Sequence, residues 1–158
     1  MSRSVIDGLL PLVEDSLNFL TKLVSACPDD LWCAKAGLWP IWQHIVHAVS
    51  TVDFFLPYEA PLPLPAPLTA EVVRLSEIGS AHPTKEDILA FIQKGKEKTI
   101  NYAATISDSD LAQPNDKLKA FNLNWSLGRS LTSIATHCQY HLGYADSLLR
   151  SNGRPGVF

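Results

Sequence analysis

The sequence has no run of consecutive apolar residues approaching the roughly 18 that a membrane-spanning helix requires. It also has no excess of positive charge. Lys and Arg total 13 against 16 Asp and Glu, a net charge of −3, which argues against a nucleic-acid backbone or an anionic membrane as the main partner. Cysteine is scarce. Cys27, Cys33 and Cys138 are odd in number and form no CxxC unit, which disfavours a disulfide framework or a cysteine zinc knuckle and leaves reduced, partly buried thiols as the expectation. Residues Met1 to Asp7 lack the long apolar segment of a secretory signal, so the expected location is the cytoplasm. There is no internal repeat and no sustained alternation that predicts a sheet.

What is present is helical periodicity in a chain of 158 residues, 46% of them hydrophobic, enough for one domain over residues 1–158 with a core of its own. Ile6, Leu9, Leu10, Val13, Leu17, Leu20 and Val24 form an apolar stripe that predicts a first helix from Ser4 to about Ala26, with Pro11 as a kink or a delayed start. A short helical turn is open around Leu31 to Ala34. Pro40 suits the first turn of a second helix carrying Ile41, Ile45, Ala48, Val52 and Phe55 and stopping at Pro57. Thr84 with Asp87 three positions on reads as the cap of a third helix running to about Ser107, with Gly95 tolerated in its middle at about 1 kcal/mol. Asn124 is a candidate cap for a fourth, from Trp125 or Ser126 to Ser151, ending at Gly153.

The connections differ in character. Pro57 to Pro67 holds five prolines in eleven residues, which excludes helix and predicts an extended crossover between helices two and three rather than an SH3-type ligand. Residues 68–81 are open between a short helix and a turn. Ser107 to Asn124 is rich in turn formers, with a weakly signalled hairpin around Lys119 to Asn122. The predicted fold class is therefore all-α, a four-helix bundle with a long Pro-rich crossover.

The chemistry is concentrated in histidines. His137 and His141 are four apart, so on a helix their imidazoles share a face about one turn apart, within the stripe of Leu127, Leu131, Ile134, Ala145 and Leu148. Buried imidazoles need partners for both ring nitrogens. On the residues alone this pair is equally consistent with hydrogen-bonded core histidines and with two ligands of a metal ion. Helix two offers His44 and His47, and periodicity places His44 nearer the inward stripe.

The stretch from Gly37 to Asp53, with Trp39 opening the helix and His47 eight residues later, resembles the first motif of the DinB-like, or YfiT-like, four-helix bundle family. His137 and His141 followed by Gly143 and the Leu148-Leu149-Arg150 helix end are similar to its second motif. The chain departs from the family where Leu142 and Tyr144 replace a basic residue and a glutamine beside the glycine. The resemblance implies a divalent metal, zinc or nickel, held by His47, His137 and His141, with His44 as the alternative first ligand. Three imidazoles leave a coordination position open, the pattern of a catalytic site. Asp53, Gln43, Tyr140 and Tyr58 are candidates to orient an imidazole or meet a ligand.

The resemblance further implies a metal-dependent transferase or hydrolase acting on a small-molecule substrate, through a low-molecular-weight thiol cosubstrate bound as thiolate or through activated water. A non-catalytic, stress-related metal-binding dimer is the alternative, and a metal-free bundle with core histidines is the third reading. A homodimer is expected, with Trp32, Trp39, Phe54 and Phe158 as aromatics for its interface. Cys138 adjoins His137 but leaves the helix about 100° away, which disfavours it as ligand or nucleophile.

Overall fold

A computed structural model describes residues 2–57 and 60–157; Tyr58 and Phe158 lie outside the described residues. Four long helices dominate: α1 (Ser4–Ala26), α3 (Ile41–Phe55), α5 (Lys85–Ala104) and α7 (Leu127–Ser151). Between them lie α2 (Asp29–Trp32), β1 (Lys35–Ala36), β2 (Trp39–Pro40), α4 (Ala70–Val73), a 3-10 helix (Asp108–Ala112) and α6 (Asp116–Lys119). The fold is all-α apart from the two-residue strands, in accord with the helical periodicity. α1 and α3 sit on a diagonal, and each packs against both α5 and α7. The links from α1 to α3 and from α5 to α7 therefore cross the bundle, whereas α3 and α5 are spatial neighbours.

The apolar stripes bury as their spacing requires. Val13, Leu17, Leu20, Leu23 and Val24 of α1 meet Ile88, Phe91 and Ile92 of α5 and Leu131, Ile134, Leu142 and Leu149 of α7 in one continuous core. Pro11 lies inside α1, which continues through it. Thr84 and Asp87 form the reciprocal cap of α5, side chain to backbone in both directions. Gly95 has a packing reason: a Cβ there would sit 3.0 Å from Cγ1 of Val49, so its absence lets α5 approach α3.

Four expectations need correction. Ser126, not Asn124, caps α7, its Oγ accepting from the Arg129 N–H at 3.2 Å. Pro40 precedes α3 in extended conformation instead of lying in its first turn. No hairpin forms at Lys119 to Asn122; α6 ends there in a turn with Asn122 at φ 59°, because an isolated polar pair of strands would have nothing to pack on. A hairpin does form elsewhere: Lys35 and Ala36 pair with Pro40 and Trp39 around Gly37, whose φ of +74° suits glycine. Trp32, expected at an interface, is 4% exposed and belongs to the core. Among the described residues, no helix is long and apolar enough to cross a membrane.

The prolines between α3 and α5 keep the chain extended before α4. Asp53 fixes that segment at one end, accepting from the Leu62 N–H at 2.6 Å and pairing with the Lys98 ammonium of α5. Gln43 fixes the other. It is fully buried, donates to the carbonyls of Val72 (2.8 Å) and Glu77 (2.6 Å), and accepts from the Gly79 N–H (3.3 Å). α4 is thus held over the middle of α3.

Candidate metal centre

His47 on α3 and His137 and His141 on α7 point into the seam between those helices. One ring nitrogen from each lies within 4.8 Å of the other two. His137 Nε2 is 3.0 Å from His47 Nε2 and 3.1 Å from His141 Nε2. Three donors converging on one point are what a helix of about 3.6 residues per turn produces when α7 contributes an i, i+4 pair and α3 faces it.

His47 and His141 are each held at their second ring nitrogen as well. His47 Nδ1 meets the Val73 carbonyl at 2.8 Å, at the end of α4. A carbonyl only accepts, so His47 carries its proton on Nδ1 and turns an Nε2 lone pair toward the cluster. His44, one turn before His47, is 3% exposed and does not join the three. Its Nε2 lies 2.7 Å from the Ala36 carbonyl of β1, its Nδ1 2.8 Å from His141 Nδ1, and its ring stacks on Tyr144 at 5.4 Å between centroids.

All four imidazoles are held neutral. Burial pushes His44 and His47 below the usual histidine range, partly offset by their hydrogen bonds to Ala36 and Val73. Burial and then the neighbouring His47 push His137 down to about 4; burial and then His47, His137 and His44 push His141 to about 2. Neutral imidazoles with ring nitrogens converging on one point are metal-ligand chemistry, and the three-histidine group could bind a metal ion.

The thiols are not part of it. Cys27 and Cys138 are buried, which raises them to about 11 and about 12, and Cys33 is exposed. Cys138 faces α3, 3.8 Å from the Ala48 carbonyl, as its 100° offset from His137 predicts. Of the other candidates, Asp53 and Gln43 touch no imidazole by hydrogen bond and act on the crossover instead. Tyr140 is exposed, bonds the Tyr144 hydroxyl at 3.1 Å, and sets its ring edge-on to His141. Sequence reasoning missed Val73 and Ala36, because each acts through a backbone carbonyl that any residue supplies.

A cavity of about 550 Å³ opens beside the cluster, with His47 and His137 in its wall. Phe54, Phe55, Leu62, Leu64, Val73 and Phe121 make most of it apolar. Asp53, Arg74 and Lys117 are its charged members. The Lys117 ammonium donates to the backbone carbonyls of Asp53 and Leu56, and burial lowers its pKa.

A bundle in which two facing helices bring three imidazoles together beside a cavity defines a class, the helical bundles with a histidine cluster able to hold a metal at a helix–helix seam. The chain belongs to the DinB superfamily, whose family profile matches residues 13–145, a span that includes all four histidines of the seam. No match to the chain is found among the curated proteins or the solved structures.

Proposed function

We propose that this protein is a metal-dependent enzyme acting on small, largely apolar molecules, with His47, His137 and His141 as the ligands of one divalent cation, zinc or nickel. The observation that carries the reading is the convergence of three neutral imidazole nitrogens within 4.8 Å at the wall of a 550 Å³ cavity. Three nitrogen donors fit such a cation and leave at least one position to a ligand from outside the chain. When bound, the cation supplies Lewis acidity, which lowers the pKa of a thiol or a water and makes a nucleophile at neutral pH.

The chain's own residues do the rest. His47 and His137 face the cavity, so a substrate there meets the open side of the site, while His141 lies behind them. Phe54, Phe55, Leu62 and Phe121 hold an apolar body and exclude water; the volume is in the range of about 300–1,000 Å³ typical of small-molecule pockets. Ser50 and Thr51 spend their hydroxyls on the carbonyls of His47 and Ala48, and Asp53 is committed to Lys98 and Leu62. Arg74, exposed at the cavity wall, is the group left to meet an anionic substituent.

Metal analysis of untagged protein tests the site. About one ion per chain is expected after zinc or nickel loading, lost in His137→Ala; unloaded wild type or a fully occupied variant would count against it. Turnover is tested by conjugating a low-molecular-weight thiol to a generic electrophile and by hydrolysis of small esters. The His141→Ala variant should be at background in both assays, and rates equal to wild type would remove the catalytic claim.

A further inference from the structure

Of the four histidines at the α3–α7 seam, His44 is the one that the three-nitrogen cluster does not include. It is also the most deeply connected. Its two ring nitrogens bridge the Ala36 carbonyl, at 2.7 Å, and His141 Nδ1, at 2.8 Å. The proton positions along this row follow from its fixed end. A carbonyl oxygen can only accept, so His44 carries its proton on Nε2. In a neutral imidazole the remaining nitrogen, Nδ1, is then an acceptor. His141 must donate to it from Nδ1, which leaves His141 Nε2 without a proton and facing His47 and His137.

We propose that His44 is a positioning residue: it fixes the tautomer and ring orientation of His141, so that the Nε2 lone pair of His141 is presented to the metal position. The inference rests on the metal reading of the three-histidine cluster and adds a residue that holds no metal itself. The two remote supports are parallel. His47 is set by one bond to a carbonyl at the end of α4, whereas His141 is set through His44 by a carbonyl of the β1–β2 hairpin. The hairpin is held to this task by its own geometry. Gly37 makes the turn at φ +74°, a Cβ there would lie 3.4 Å from Tyr144, and the Tyr144 ring covers His44 face to face at 11°. A 3% exposed imidazole between two polar partners has no room to turn or to take water instead.

The His47 lone pair and the His141 lone pair both meet His137 Nε2, at 3.0 and 3.1 Å. Two acceptors around one nitrogen require a proton on it, so metal-free His137 is the Nε2–H tautomer, and a cation takes the place of that proton.

Long-range proton–nitrogen spectra of the metal-free protein above neutral pH read these tautomers directly. The wild type should show His141 protonated on Nδ1 and His137 on Nε2. In His44→Leu, His141 loses its acceptor and should shift toward the Nε2–H form, with the zinc dissociation constant rising about 10–100-fold, the range for loss of a ligand's hydrogen-bonding partner. His44→Asn keeps an acceptor oxygen near the place of Nδ1; it should retain the His141 Nδ1–H signal and weaken zinc binding by less than the leucine variant. It also keeps the question open to measurement if the leucine variant does not fold. Nε2 protonation of His141 in wild type would overturn the proposal. So would a folded His44→Leu that binds zinc as tightly as wild type, or equal weakening in the two variants. If wild type binds no zinc, the metal reading fails by itself, and the His141 tautomer with and without His44 still decides what His44 does.

Discussion

The α1–α5 seam and the α3–α7 seam belong to one bundle and are built on opposite principles. The first closes Val13, Leu17, Leu20 and Val24 against Ile88, Phe91 and Ile92, all at most 2% exposed, and contains no imidazole. The second buries His44, His141, Thr51 and Ser130 among its apolar residues and draws in carbonyls from Val73 and Ala36. Apolar burial contributes stability at about 25 cal/mol per Å², while a buried polar group returns only about 1 kcal/mol when hydrogen-bonded and costs about 1–3 kcal/mol when it is not. One seam thus holds the bundle and the other holds a site, at some expense of stability.

If that division is right, the two seams should fail separately. The largest effect on folding is expected at the apolar seam. Leu20→Ala should lower the unfolding free energy by about 2–5 kcal/mol in a urea titration, with zinc affinity in the folded protein within about twofold of wild type. A large loss of affinity alongside would mean that the seams are coupled.

Acid should act on the other seam alone. Its imidazoles are depressed below the ordinary value of 6.5, His137 to about 4 and His141 to about 2. Between those values and 6.5 the unfolded chain binds more protons than the folded one, so stability is complete above pH 6.5 and falls as pH drops. By about pH 5 the metal-free protein should have lost on the order of 1 kcal/mol or more through these two imidazoles, less than their full shifts give because both are partly screened by solvent. Urea midpoints at neutral pH and at pH 5 for wild type and His137→Leu measure it: the variant should lose less. An identical acid loss would show that carboxylates, not imidazoles, carry the dependence.

Gln43→Leu should cost about 1–3 kcal/mol, since it removes the three buried bonds to the Val72 and Glu77 carbonyls and from the Gly79 N–H, and loosens the α4 carbonyl that sets His47. Zinc affinity should fall with it, by less than in the His44→Leu variant, because the His47–Val73 bond survives. The smallest change is expected at Gly95→Ala on the α3–α5 contact. Helix propensity favours alanine by about 1 kcal/mol, but the new methyl meets Val49 at 3.0 Å, so the net shift in melting temperature should be near zero. A clear gain would mean that α3 and α5 can separate at no cost.

The apolar seam was legible in the sequence because it is periodic: Leu17, Leu20 and Val24 announce their face without knowledge of their partners. The site was legible only in its side chains. Periodicity placed His44 nearer the inward stripe than His47, and His44 is indeed buried, but burial is not convergence; which imidazole meets the α7 pair depends on where α7 lies. The family resemblance supplied His47, which residue pattern alone did not. Ala36 and Val73 carry no signal of their role, since a carbonyl is common to every residue. The β1–β2 hairpin has two residues per strand, too few for alternation to register, and only Gly37 hints at a turn.

The diagonal placement of α1 and α3 has a consequence in time. α1 finds its main apolar partners in α5 and α7 and touches α3, the next long helix in the chain, only slightly. About 100 residues separate the end of α1 at Ala26 from the start of α7 at Leu127. At a synthesis rate of about 5–20 residues per second, α1 leaves the ribosome roughly 5–20 s before α7 begins to emerge. During that interval Leu17, Leu20 and Leu23 are uncovered on one side, so the nascent chain, rather than the finished bundle, is the form of this protein most exposed to aggregation and most in need of a chaperone.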